Sequence, residues 1–190
     1  MNKLKVAGIG VGGISTSHIN AYLGNPDVEL YAFCDINEKR LKEKGAKYGI
    51  TRLYTDEDEM LNALPELDAV SVCVWNCNHA SCAIKALDAG KHVLCEKPLA
   101  MNVEQGKAML DAAKRNERLL MVGFCCRFEN AADIIRAQQK SDFFGDIYYA
   151  KASYLRRNGA PGGWFCNTSM SGGGPMIDLG VHILDLTRYL

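Results

Sequence analysis

The chain has 190 residues, 22 basic against 22 acidic side chains, 48% hydrophobic residues and 23% charged ones, a balance that excludes a disordered or fibrous protein. A formal net charge of zero, with no run of five like charges, removes the electrostatic footprint of a nucleic-acid or anionic-membrane binder. A small molecule is the expected partner, and the length suits one ordinary domain plus a remainder.

The first apolar stretch, residues 6–14, is broken by four glycines and is too short for a membrane span or an export signal, so a cytoplasmic location is expected. The eight cysteines (34, 73, 77, 82, 95, 125, 126 and 166) form no Cys-x-x-Cys pair. They are expected as reduced thiols, several of them packed as small hydrophobes, and no metal site is expected.

In chain order, residues 4–9, 28–34, 69–74, 92–95 and 119–124 are short runs rich in Val, Ile, Leu and Cys, the composition of strands buried on both faces. Helical patterns separate them. Ala80, Ala83, Ile84 and Leu87 mark one stripe, and Val103, Gly106, Leu110 and Ala113 mark another. Strand–helix alternation closes through right-handed crossovers, so residues 1–123 are predicted to form a doubly wound α/β domain, a parallel sheet of the Rossmann type. A second, incomplete α/β domain is predicted over 124–190: a helix over 130–140, a long alternating strand over 147–157, a glycine-crowded loop, and an amphipathic helix over 177–190. Ile177, Val181, Leu184 and Tyr189 are expected on one side of that last helix.

Gly8, Gly10 and Gly13 spell Gly-x-Gly-x-x-Gly directly after the first strand, where a helix is predicted to start near Gly12. In that position the glycines permit a tight turn, a close approach of the backbone to a pyrophosphate, and close helix–strand packing, while the helix N-terminus supplies amide donors. Asp35 ends the second strand twenty-two residues beyond Gly13, near the spacing of the acid that binds an adenosine ribose. Such a carboxylate accepts both ribose hydroxyls and repels a 2'-phosphate, which favours NAD over NADP. Asp35 also has an alternative role as the cap of the following helix. Arg40, one turn further on, is placed to cover the adenine or to lie in solvent.

Glu96-Lys97-Pro98 follows the strand 92–95. Ligands of open parallel sheets bind beyond the carboxyl ends of strands, so Lys97 is aimed at the cofactor crevice unless it is a solvated surface lysine. Pro98 restricts the backbone of Lys97. Asp178 and His182 are four apart and on a helix share a face, as either a working pair or a cap with a packed histidine.

The stretch from Gly90 through Glu96-Lys97-Pro98 resembles the Gfo/Idh/MocA family of NAD(P)-dependent sugar and inositol oxidoreductases. Similar text recurs at Gly8 to Gly13, at Asp35, in Asn76 and His79, in Val122-Gly123-Phe124 with Arg127-Phe128, and from Ser171 through Asp178 to His182 and Leu186. The resemblance implies a Rossmann domain, a second domain with a large open antiparallel sheet, and a catalytic set of Lys97, Asp178 and His182. His182 is then the proton acceptor, Lys97 stabilises charge on the substrate oxygen, and Asp178 orients the substrate or the imidazole.

The same resemblance implies a cofactor site of Gly8, Gly10, Val11, Gly12, Gly13, Ile14, Asp35, Arg40, Trp75, Asn76, His79, Glu96, Lys97 and Arg127. Arg156 and Trp164 are substrate candidates, and Arg157 belongs with them. A polyol substrate and a homo-oligomer built through the second domain complete the expectation. The chain departs from the family pattern in Val74-Trp75-Asn76, where Thr-Pro-Asn is common, and Trp75 is expected either to pack on the nicotinamide or to narrow its site. It also ends where relatives continue into the strands of the second sheet. The segment 147–157 is therefore expected to pair with another chain, to be disordered, or to belong to a fragment of a longer protein. A catalytically silent NAD-binding protein is the alternative to a polyol dehydrogenase.

Overall fold

The structure, a computed structural model, describes residues 2–157, 159 and 161–190. It divides into two compact units that part between Val122 and Gly123. The first unit contains strands β1 (Leu4–Ile9), β2 (Val28–Cys34), β3 (Leu53–Tyr54), β4 (Ala69–Val72), β5 (His92–Cys95) and β6 (Leu120–Val122). They form one sheet in the order β3-β2-β1-β4-β5-β6 with every pair parallel. Chain order reverses between β1 and β4, and this is the point where such sheets open a ligand crevice.

Helices α1 (Ser15–Leu23), α2 (Glu38–Tyr48), α3 (Glu57–Ala63), α4 (His79–Asp88) and α5 (Val103–Arg115) connect the strands. Both sheet faces are covered, and the side chains of β2 show it. Leu30 and Phe33 join Val11, Ile19 and Leu41 in one core, whereas Ala32 and Cys34 join Ile9, Val70, Val72, Leu87, Cys95 and Met109 in the other. Apolar surface on both faces explains why the strands read as continuous hydrophobic runs rather than alternating ones.

The first, second and fifth strands have the predicted bounds, while the runs 69–74 and 119–124 are trimmed to four and three residues. The pair β3 and α3 was not anticipated, because two residues of strand carry no periodicity. On α5 the predicted stripe is displaced. Met109, Ala112 and Ala113 are buried, whereas Val103 and Leu110 are exposed, so the apolar positions at its start face solvent. The first helix begins at Ser15 rather than near Gly12, leaving the glycines as a free turn.

The second unit holds α6 (Asn130–Lys140), as predicted, with α7 (Thr168–Ser171) and α8 (Val181–Tyr189). The segment 147–157 is not a strand. It takes part in no ladder among the described residues, since an isolated strand has no partner for its amides and carbonyls. The final helix also differs from expectation: Met176–Gly180 is a π-helical turn and α8 begins only after it. The wider turn shifts the phase, so Leu184 is exposed and Asp185 takes the more buried position.

Gly10 carries the tightest constraint in the first unit. Its φ is +84°, and a Cβ there would sit 2.6 Å from the Cys73 carbonyl oxygen, whereas a Cβ at Gly13 would meet nothing within 4 Å. Gly10→Ala is expected to destabilise the chain by roughly 1–3 kcal/mol, and Gly13→Ala to change it by less than about 0.5 kcal/mol. Urea unfolding of both variants measures the difference, and equal midpoints would remove the constraint.

Candidate functional site

Ladder hydrogen bonds set the carboxyl ends of the central strands side by side. The Gly10 amide donates to the Cys34 carbonyl, the Cys73 amide to Ile9, and the Glu96 amide to Val72, at 2.8, 2.8 and 2.9 Å. Gly10, Asp35, Cys73 and Glu96 therefore line one edge at the β1/β4 reversal. No side chain caps α1 and its first turn has no acid, whereas Asn37, Asp56 and Asn102 cap α2, α3 and α5. Open space over Gly12 and Gly13 adjoins this uncapped N-terminus, where amide donors and the helix dipole favour an anion. The packing role expected of Gly13 is absent among the described residues, because a Cβ there would meet nothing within 4 Å.

Asp35 is buried and fully engaged. Its carboxylate accepts from the Val11 and Asn37 amides, both at 2.8 Å, and takes a fork from Arg40 at 3.1 and 2.8 Å. Burial raises its pKa, but the bonds from Arg40, Asn37 and Val11 outweigh it and hold the carboxyl below its usual value. The helix cap is Asn37, which accepts from the Arg40 amide, so Asp35 is left as the acid at the strand end. Arg40 lies on Asp35 rather than apart from it, so that acid is charge-neutralised in this conformation.

In the second unit, the Arg127 guanidinium forks onto Asp185 of α8, with Nε 2.7 Å from the carboxylate, and lies over the rings of Phe124 and Tyr189. His182 sits between the face of Tyr154 and the edge of Phe124, each 6.3 Å away by centroid. Arg156 reaches within 4.0 Å of the Asp178 carboxylate, which brings together one substrate candidate and one catalytic candidate. Asp178 lies in the π-helical turn and His182 in α8. Trp164, on a single helical turn Gly163–Cys166, stacks on Phe165, and Arg157 is exposed.

In the first unit, Lys97 is half-buried on a turn with a cis bond to Pro98. Fully buried His79 holds this turn: its Nδ1 is 2.6 Å from the Pro98 carbonyl and its Nε2 is 3.2 Å from that of Val74. The histidine clamps the turn after β5 to the end of β4 instead of capping α4. Burial lowers its pKa against the pull of both carbonyls. Asn76 is buried beside it in sequence and Trp75 is 39% exposed, leaving the indole available to a ligand.

His18 is a site residue the sequence reading missed. Its Nδ1 is 2.7 Å from Ser71 Oγ and its Nε2 is 2.8 Å from Glu96 Oε1, while Tyr22 donates to the same Ser71 oxygen at 3.0 Å. Glu96 in turn accepts from the Lys97 amide at 3.1 Å. Thus α1, β4 and the Lys97 turn are joined by one polar chain. The available signal was the placement of His18 on the helix that opens with the glycine turn.

Burial lowers the pKa of His18, but bonds to Cys73 and Glu96 and the Glu96 charge outweigh it and push it up to about 10. Glu96 is held below its usual value: burial raises it, and His18 more than compensates. A histidine pKa raised on folding contributes stability that is complete below its unfolded value and lost as pH climbs through its folded one. The His18→Gln variant is therefore expected to melt below the parent chain by the widest margin near pH 6, with the gap closing toward pH 10. A gap of constant width would show that His18 carries no charge here.

These two units match known models. Residues 4–124 match the oxidoreductase family with an NAD-binding Rossmann fold, and residues 133–190 match the GFO/IDH/MocA C-terminal domain. The chain is 40% identical over 189 residues to D-glucoside 3-dehydrogenase of Escherichia coli, covering 98% of this chain and 54% of that protein. It is 30% identical to myo-inositol 2-dehydrogenase of Thermotoga maritima over 98% of the chain and 54% of the relative. The structure of levoglucosan dehydrogenase in complex with NADH superposes with a TM-score of 0.88 at 28% identity, covering all of this chain and 54% of that one. The chain spans about half the length of the curated relatives it matches, and no helix among the described residues is long and apolar enough to cross a membrane. By its Rossmann unit and the C-terminal segment that follows, the chain belongs to the Gfo/Idh/MocA oxidoreductase family.

Proposed function

We propose that the chain serves an oxidoreductase that transfers hydride between NAD and a secondary alcohol of a sugar, inositol or related polyol. One observation carries this reading: the β1/β4 reversal gathers an uncapped helix N-terminus, the strand-end acid Asp35 and the Glu96-Lys97 turn on one sheet edge. Amides of the glycine turn beyond Val11 suit a diphosphate, Gly12 and Gly13 leave room for it, and Asp35 accepts ribose hydroxyls once Arg40 yields part of its fork. The nicotinamide, when bound, supplies the two-electron chemistry.

The chain's own residues supply the rest. His182 takes the hydroxyl proton as the alcohol carbon is oxidised. The Lys97 ammonium, held in direction by His79 and Glu96, stabilises negative charge on the reacting oxygen. Asp178 orients the substrate or imidazole, with Arg156 beside it. NAD is preferred over NADP because Asp35 repels a 2'-phosphate, although Arg40 blunts that repulsion. Relatives named for glucoside, inositol and levoglucosan substrates support the polyol class. Eight free cysteines fit a cytoplasmic location, and homo-oligomerisation through the second unit completes the reading.

A second reading, dinucleotide binding without turnover, is favoured by the segment 147–157, which joins no ladder among the described residues. Titrating NAD and NADP into the chain, then following polyol-dependent absorbance of the reduced nicotinamide, separates the two. Lys97→Ala is expected to lower turnover at least about 100-fold while leaving dinucleotide affinity within a few-fold; an unchanged rate would exclude Lys97 from the chemistry. Asp35→Ala is expected to weaken NAD more than NADP, and equal losses would refute the ribose assignment.

A further inference from the structure

We propose that Cys125, Cys126 and His182 form a binding site for a thiophilic divalent cation of the zinc class. Their three ligand atoms all lie within 4.8 Å of one another, with Cys126 Sγ 4.0 Å from His182 Nδ1. In a tetrahedral site with Zn–S near 2.3 Å and Zn–N near 2.0 Å, ligand atoms are about 3.5–3.8 Å apart. The longest separation has to close by only about 1 Å, within the reach of side-chain rotation. Two thiolates and an imidazole favour zinc, cobalt or cadmium over magnesium or calcium, which take oxygen ligands. Three protein ligands leave a fourth position for water.

The scaffold under these ligands supports the assignment independently. Cys125 and Cys126 lie on a single helical turn, Cys125–Phe128, and His182 lies on α8. The ion pair between Arg127 and Asp185 joins those two segments, one residue beyond Cys126 and three beyond His182. The Tyr154 and Phe124 rings flank the imidazole. The ligand-bearing segments are thus braced by contacts that do not involve the ligand atoms, as in preorganised metal sites. On binding, two metal–sulfur bonds and one metal–nitrogen bond form, two thiol protons pass to solvent, and no electrons move.

A reading of cysteine spacing passes over this set because its ligands are two adjacent cysteines and a histidine 56 positions away. Where His182 is the proton acceptor, a cation on its ring opposes that role and inhibits turnover; this consequence rests on the function proposed above, whereas binding itself does not.

Cobalt(II) titration of the reduced chain tests the site, because thiolate–cobalt charge transfer absorbs in the near ultraviolet. One equivalent is expected to saturate the band, and zinc to displace it. Cys126→Ser, Cys125→Ser and His182→Gln are each expected to weaken binding at least tenfold, while Cys77→Ser and Cys166→Ser leave it unchanged. Asp185→Asn is expected to weaken it about tenfold through loss of the brace. No band at millimolar cobalt overturns the proposal, as does a band that survives in all three ligand variants or disappears in Cys77→Ser or Cys166→Ser. The titration uses no nicotinamide, so its failure leaves the dehydrogenase reading standing, and failed dinucleotide binding leaves the metal site standing.

Discussion

The backbone approach between Gly10 and Cys73 is the constraint on which the candidate site depends. A Cβ at Gly10 would meet the Cys73 carbonyl at 2.6 Å, so only glycine lets the turn after β1 tuck against the end of β4. That packing brings Val11 within 2.8 Å of Asp35 and leaves the N-terminus of α1 open beside the sheet edge. It sets the glycine turn against the edge where the strand ladders already place Asp35 and the Lys97 turn.

Two histidines, His79 buried and His18 half-buried, then hold the Lys97 turn. His79 clamps the Pro98 carbonyl to the end of β4, and His18 fixes Glu96, whose other carboxylate oxygen takes the Lys97 amide. The two rings sit in different surroundings. His79 faces two carbonyls under a burial that lowers its pKa, while His18 faces a carboxylate that helps raise it. The amide of Lys97 and the carbonyl of Pro98 are therefore both anchored through side chains of preceding elements.

Asp35 and Arg40 show how a simple fingerprint acquires a second term. The acid at the end of β2 is expected to repel a 2'-phosphate, but the structure neutralises it with a guanidinium fork. Under the proposed function, ribose hydroxyls compete with Arg40 for the same two carboxylate oxygens. In the second unit, another arginine fork, Arg127 on Asp185, serves to brace a helical turn against α8.

The sequence by itself determined the alternation of strand and helix, the bounds of β1, β2 and β5, and the positions of the glycine turn, Asp35 and Lys97, because those features depend on local pattern and on residues adjacent in the chain. It also carried the family, through ordered motifs that the comparisons match over the Rossmann unit and the following segment. Only the tertiary structure decided what lies outside that range. The two-residue β3 has no period to read, the π-helical turn at 176–180 shifts the phase of α8, and the strand pattern over 147–157 forms no strand without a partner to pair with. The contacts His18–Glu96, Arg40–Asp35 and Arg127–Asp185 depend on orientations that burial and folded-chain geometry select, and residue spacing does not encode them.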